Sequence, residues 1–394
     1  MPGSVIVAGA RTPIGKLAGA LGGFTAMELG GTAIGAALER AGLAPEQVEY
    51  VYMGQVLQAG QGQITARQAA AKAGIPLTTP ATTVNKVCLS GLNAIYLADQ
   101  LIAAGEADVV VAGGMESMTK APYLLPEART GYRMGDRTVV DSMMFDGLFC
   151  AFDQVAMGAG TERYSQASQI PRERQDALAA ASHERAAAAV KDGRFADETV
   201  SVTVPQRRGE DVVVDADEGV RPGTTPESLA KLRPAFDKEG TITAGNSSQI
   251  SDAAAAVVVT SRAVADRLGT QPLGEVVSYG QVAGPDPSLL HQPARAARVA
   301  LDRAGAKVSE VDLFEINEAF AAVVLASMDD LGLDDQVVNV NGGAIALGHP
   351  IGMTGTRLAL TLLHELRRRG GGQGVAALCG GGGQGDGLVV RSLA

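Results

Sequence analysis

Val84-Asn85-Lys86-Val87-Cys88-Leu89-Ser90-Gly91 is an apolar run that breaks at a turn and opens, through Gly91, into the helical pattern Leu92–Ala104. Far downstream, Val338-Asn339-Val340-Asn341 leads through a glycine loop and Gly355 into a second helical pattern, Thr356–Arg369. Strand, turn and helix in the same order near both ends of one chain predict a duplicated, layered α/β fold with its site between the halves. Outward from the first copy, apolar runs at Val5–Val7 and Val109–Ala112, with a helical pattern at Thr32–Ala41, predict a mostly parallel sheet. From about Leu273 the logic repeats, with Val311–Ile316 as strand, Ala319–Leu331 as helix, and Val337–Val340 and Val375–Leu378 as further strands.

The middle of the chain has another character. Charged helical stretches alternate with breakers such as Pro205-Gln206-Arg207-Arg208-Gly209 and Arg221-Pro222-Gly223, which reads as an inserted, ligand-gripping loop domain. Ser251–Thr260 then returns to small and β-branched residues, as a strand rejoining the first sheet would. The expected organisation is an N-terminal half at 1–118, the inserted loop domain at 119–249, a return to the first half at 250–271 and a C-terminal half at 272–394.

Composition bounds the function. A chain of 394 residues exceeds what one core usually supports, and its many glycines, few aromatics and absent tryptophan suit closely packed α/β layers. The net charge of −10 comes with scattered basic residues, so no nucleic-acid footprint is expected, and Arg367–Arg369 reads as a solvated helix end. No apolar run is long enough for a membrane span, and the opening Met-Pro-Gly-Ser-Val-Ile-Val has no leader pattern. Three cysteines in so long a chain suit a reducing compartment, with the cytoplasm as the expected location.

Three residues share a setting in which chemistry is feasible. Cys88 precedes a predicted helix, His349 ends Gly342-Gly343-Ala344-Ile345-Ala346-Leu347-Gly348-His349-Pro350, and Cys379 opens Cys379-Gly380-Gly381-Gly382-Gly383. A thiolate is favoured at a helix N-terminus, and glycine turns let backbone amides approach a developing oxyanion. Each residue also has a plain structural reading: Cys88 as a small core residue, His349 as an idle turn histidine. Metal and disulfide readings are weaker, since no Cys-x-x-Cys pair exists, Cys150 has no matching motif, and His364-Glu365 lacks a second histidine one turn on. Gly380, Gly382 and Gly385 match a dinucleotide fingerprint, but the residues after them leave no room for its helix and second strand. Asn317, in Glu315-Ile316-Asn317-Glu318-Ala319-Phe320, is either an N-cap or an amide able to hold a water or carbonyl.

Asn-Lys-Val-Cys-Leu-Ser-Gly, Asn-Glu-Ala-Phe, Gly-Gly-Ala-Ile-Ala-Leu-Gly-His-Pro and Ala-Leu-Cys-Gly-Gly-Gly resemble, in this order, the signature blocks of the thiolases, a likeness running from Val5 to Val390. Supporting blocks lie at Ala10–Gly15, Gly113–Thr119 and Ala244–Gln249. Within the family the chain is most similar to acetyl-CoA acetyltransferases. The resemblance implies that Cys88 is acetylated with help from His349 and that Cys379 takes a methyl proton from a second acetyl-CoA, giving acetoacetyl-CoA and free CoA. It implies an oxyanion hole of the Cys88 and Gly381 amides, and a second one for the enolate from His349 and a water on Asn317. It also implies contacts to CoA and acyl group from His183, Arg221, Ser228, Ser248, Met157, Ala319 and Phe320, no further cofactor, and a homo-oligomer, a tetramer before a dimer.

Two departures bear on substrate length. Ala156 precedes Met157-Gly158 where many short-chain members carry histidine, and Asn246-Ser247-Ser248-Gln249 is a form found in degradative thiolases of broader range. A β-ketoacyl synthase, which generally has one cysteine, does not account for Cys379, and a non-catalytic acyl-CoA or lipid binder does not account for a complete reactive set.

Overall fold

A ten-stranded sheet runs through the protein, whose computed structural model describes residues 3–392. Its main strands are β1 (Ser4–Arg11), β2 (Tyr50–Gly54), β3 (Ala81–Val84), β4 (Val109–Ser117), β5 (Ser251–Ser261), β6 (Gly274–Ala283), β7 (Leu313–Ile316), β8 (Gly372–Gly380) and β9 (Gln384–Ser392). They lie in the order β7-β8-β9-β6-β1-β5-β4-β2-β3. The sheet is mixed, contrary to the mostly parallel one expected. β5 enters antiparallel between β1 and β4, and β9 antiparallel between β6 and β8; only β4-β2-β3 and β7-β8 run parallel.

The duplication is plain in these directions. From β1 the path goes antiparallel to β5, antiparallel to β4, and then parallel to β2 and β3. From β6 it goes antiparallel to β9, antiparallel to β8, parallel to β7, and parallel again to a single bridge between Phe314 and Val338. That bridge replaces the strand expected at Val337–Val340: a 3₁₀ turn occupies Asp335–Val337, and Asn339 turns left-handed at φ 47°. Between the halves, β1 and β6 pair at only two positions, Val5 with Glu275 and Ile6 with Gly274.

Helices fill three layers. α1 (Ala26–Ala41) and α2 (Thr65–Lys72) cover the outer face of the first half through a core that includes Val5, Val111 and Ala256. α3 (Ser90–Ala103) lies on its inner face. α4 (Met157–Ala167) and α5 (Arg172–Lys191) belong to residues 119–249, with three two-stranded ribbons. α6 (Gln292–Ala304) and α7 (Ala321–Leu331) flank the second half, and α8 (Thr354–Arg368) joins α3 in the central layer. One core there gathers Leu92 and Ile95 of α3, Leu358 and Leu362 of α8, and inward residues of both halves, including Val257 and Leu378. Alternation along each strand supplies a separate core to each face.

The two central helices meet at the glycines that began the sequence comparison. A Cβ on Gly91 would stand 2.7 Å from the Thr356 hydroxyl and 2.9 Å from the Gly352 carbonyl; one on Gly355 would collide with the Leu92 amide nitrogen. The Thr356 hydroxyl donates to the Gly91 carbonyl at 3.0 Å across the crossing. Since the obstacles are backbone, the helices would have to part. Gly355→Ala should therefore cost about 1–3 kcal/mol or more by overpacking, read as a fall in Tm; an unchanged Tm would refute the close crossing.

Candidate active site

The Cys88 turn is held by its neighbours. After β3 the chain reaches Val87 at φ 52°, a costly conformation for a β-branched residue. Ser90 closes the turn: its hydroxyl accepts from the Lys86 N–H at 2.8 Å and donates to the Val87 carbonyl at 2.6 Å. The N–H groups of Cys88 itself and of Gly381, just past β8 in the other half, lie near enough to favour negative charge on the Cys88 sulfur. Gly380 makes this approach possible, because a Cβ there would stand 2.6 Å from the Leu89 side chain.

Cys379 lies in the same neighbourhood, close enough for its thiol to sense charge on Cys88. It is buried beside Leu289, Ala319 and Val323, whereas Cys88 stays partly accessible. The helix N-terminus was expected to favour a thiolate at Cys88. Burial outweighs it and pushes the thiol up to about 12, with the two N–H groups only partly offsetting; burial, and then the field of Cys88, also push Cys379 up. Both sulfurs rest as thiols.

His349 is oriented from both sides. Its Nδ1 lies 2.7 Å from the Thr354 hydroxyl, which donates its single proton to the Pro350 carbonyl at 2.8 Å. The hydroxyl therefore accepts from Nδ1–H, and Nε2 keeps a free lone pair. The Asn317 amide nitrogen lies 3.5 Å from that Nε2, while Asn317 Oδ1 is buried with no partner, a ready acceptor for a water. Burial first, and then the positive charge of Arg357, hold the imidazole down to about 3, so the resting ring is neutral.

Buried polar groups secure the surrounding loops. Glu116 accepts from the N–H groups of Val56, Leu57 and Gly352, tying the start of α8 to β4 and to the chain after β2. Glu318 accepts from Ser182, Asn339 and the Ile345 N–H, and thereby holds the glycine loop ahead of His349. Gln249 accepts from the His349 N–H through its own carbonyl, and its side-chain amide donates to the Gly219, Ile345 and Ala346 carbonyls.

A mainly apolar cavity of about 240 Å³ leads to His349, lined among others by Met144, Leu148, Met157, Phe236, Ser248 and Phe320. Ala319 does not line it; its carbonyl accepts from the Ser248 N–H at 3.0 Å. Among the residues expected to touch CoA, Arg221 and Ser228 are exposed, the latter engaged with Thr225 in the cap of a short helix. His183 is buried beneath them, its Nδ1 taken by the Arg221 N–H at 3.2 Å, so it supports that surface instead of forming it. Burial and the Arg221 charge lower its pKa to about 4. Cys150 is buried on a separate cavity of about 680 Å³ that also reaches Val87 and Gly381.

A family model described as the thiolase N-terminal domain matches residues 4–263, and one described as the thiolase C-terminal domain matches residues 270–392. The chain belongs to the thiolase family. A probable acetyl-CoA acetyltransferase of Mycobacterium tuberculosis is 59% identical to this thiolase over the whole of both chains. Acetyl-CoA acetyltransferases of Cupriavidus necator and Shinella zoogloeoides are each 52% identical, over 98% and 99% of both chains respectively.

Sequence reasoning on this thiolase passed over Thr354 and Glu116. Glu116 left a signal, a carboxylate directly after the apolar and glycine run Val109–Met115. Thr354 left none, because its partner is set by the first turn of α8. No helix is long and apolar enough to cross a membrane among the described residues, and no group of three or more His, Cys, Asp or Glu there is placed to hold a metal.

Proposed function

We propose that this thiolase is an acetyl-CoA C-acetyltransferase, joining two acetyl-CoA into acetoacetyl-CoA and CoA, and running reversibly. The observation that carries the reading is the close packing of the Cys88 turn against the Gly380–Gly381 turn of the opposite half, with Cys379 beside them. The names of relatives at 52–59% identity support the acetyl preference.

In the first half-reaction the Cys88 proton passes to His349 Nε2, the sulfur attacks the acetyl carbonyl, and the bond to CoA sulfur breaks as CoA takes the proton. The carbonyl oxygen, negative in the tetrahedral intermediate, is served by the Cys88 and Gly381 amides. In the second, Cys379 gives its proton to Nε2 and, as thiolate, takes one from the methyl of a second acetyl-CoA. The protonated Nε2 and a water on Asn317 Oδ1 then face the enolate oxygen. The enolate carbon attacks the acetyl group, the bond to Cys88 breaks, and Cys88 recovers the proton held by Cys379; His349 returns its proton as the oxygen regains carbonyl character, restoring the Cys379 thiol. A single charge is costly in so dry a site, so thiolate and imidazolium are formed together and offset one another. CoA enters as substrate and leaves as product; no other cofactor is required.

The cavity before His349 supports a short acyl group, being smaller than the roughly 300 Å³ at which pockets for drug-sized ligands begin. The exposed Arg221 and Ser228 suit the nucleotide end of CoA. We assign the protein to the cytoplasm and to acyl-CoA metabolism as a homotetramer. Thiolysis over a chain-length series tests the reading: kcat/KM for acetoacetyl-CoA should exceed that for a long-chain 3-ketoacyl-CoA by about tenfold or more. The reverse order would favour a broad degradative thiolase.

A further inference from the structure

Lys86 is the one residue among those described that makes an ion pair between residues 3–118 and residues 272–392. Its ammonium lies 2.7 and 3.0 Å from the two oxygens of Asp386, and 3.3 Å from Gln281. Asp386 is fully buried, while the Lys86 side chain is 19% exposed. The Tyr279 hydroxyl donates to Asp386 at 2.5 Å and accepts from the Asn93 amide at 3.4 Å, and its ring stacks on Tyr96 of α3 at 4.4 Å. The partners fall at informative places. Lys86 stands two residues before Cys88, next to the strained Val87, whereas Asp386 sits opposite Leu378 in the β8–β9 register, one step from the pair Cys379–Gly385.

We propose that Lys86 and Asp386, with Tyr279 behind them, are positioning residues that hold the Cys88 turn in register with the Cys379–Gly381 hairpin of the other half. The inference rests on the reading of Cys88 as nucleophile and deepens it. The Gly380–Gly381 turn packs against Leu89 and Val87 from a half whose sheet meets that of the first at two residue pairs, so its aim at the Cys88 turn depends in part on side chains that cross between the halves beside it. Ser90 fixes the shape of the Cys88 turn but belongs to the same half and cannot set this alignment. Burial raises the Asp386 carboxyl above its usual range, and Lys86 and Tyr279 act against that rise.

The test compares wild type with Lys86→Met, Asp386→Asn, their double variant and Lys86→Arg. Lys86→Met should lower kcat for condensation about tenfold to a hundredfold, the scale of a small misplacement of reacting groups, with KM changed little. Without substrate, its Cys88 should react with iodoacetamide about tenfold more slowly at pH 8, as a nearby N–H moved out of line favours the thiolate less. Lys86→Arg should restore both, and the double variant should be no slower than Lys86→Met, since the two side chains act as one unit. Normal kcat and normal alkylation with only a lower Tm would overturn the proposal. If Lys86→Met does not fold, Asp386→Asn carries the same two readouts. Failure of the wild type to form acetyl-Cys88 would sink the assigned reaction instead, and the alkylation comparison would still decide the positioning role.

Discussion

Cys379→Ala is expected to separate the two half-reactions: acetylation of Cys88 by acetyl-CoA should stay within about tenfold of wild type, while condensation falls by about 10³ or more. Removing a positioned base costs roughly 10²–10⁴, and no other described side chain of the site is offered for the methyl proton. Thr354 holds His349 Nδ1, and the proposed cycle commits Nε2 to the oxygen that becomes the enolate. The N–H groups near Cys88 remain in this variant, because they belong to the backbone of Cys88 and Gly381. The measurement is the stoichiometry of labelled acetyl-enzyme alongside the rate of acetoacetyl-CoA formation. A variant unable to acetylate, or one that condenses near the wild-type rate, would show that the base has been misassigned. Loss of one buried sulfur leaves a small void, so Tm should be followed in the same samples.

His349→Ala is expected to impair both halves, each by about 10²–10⁴. One nitrogen is asked to take the Cys88 proton and then to face the enolate oxygen, so the effects cannot be parted as they are for Cys379. Burst kinetics of CoA release reports the first step, and exchange of the acetyl-CoA methyl protons with deuterated water reports the second. Acetyl-enzyme formation at near the wild-type rate would remove His349 from the first step. The expected order is thus a variant that fails late, at Cys379, and one that fails throughout, at His349.

How much of this was legible in the sequence follows from the range of the forces involved. Cys88, His349 and Cys379 stood out because each sits at a break between an apolar run and a glycine turn, a local pattern. The duplication was legible for the same reason, and its glycines, Gly91 and Gly355, do mark where α3 and α8 cross. Sheet direction was not legible. β5 follows a long insertion, and nothing in Ser251–Ser261 says which way it enters between β1 and β4. Val337–Val340 has the composition of a strand, yet Asn339 gives its side chain to the Ile316 backbone and to Glu318 and turns out of the sheet. The thiol state also escaped prediction, since a helix N-terminus is visible in sequence and the depth of burial that outweighs it is not.

The two-position seam between β1 and β6 gives heat inactivation a particular form. Since the Cys88 turn and the Gly380–Gly381 turn come from opposite halves, activity measures the alignment of the halves as much as the integrity of either. Warming that shifts the halves by less than the length of a hydrogen bond would silence the enzyme before the central core shared by α3 and α8 opens, so loss of turnover should precede loss of helical signal. In that sense the junction is a fuse: a two-pair main-chain seam lies across the most sensitive chemistry of the protein.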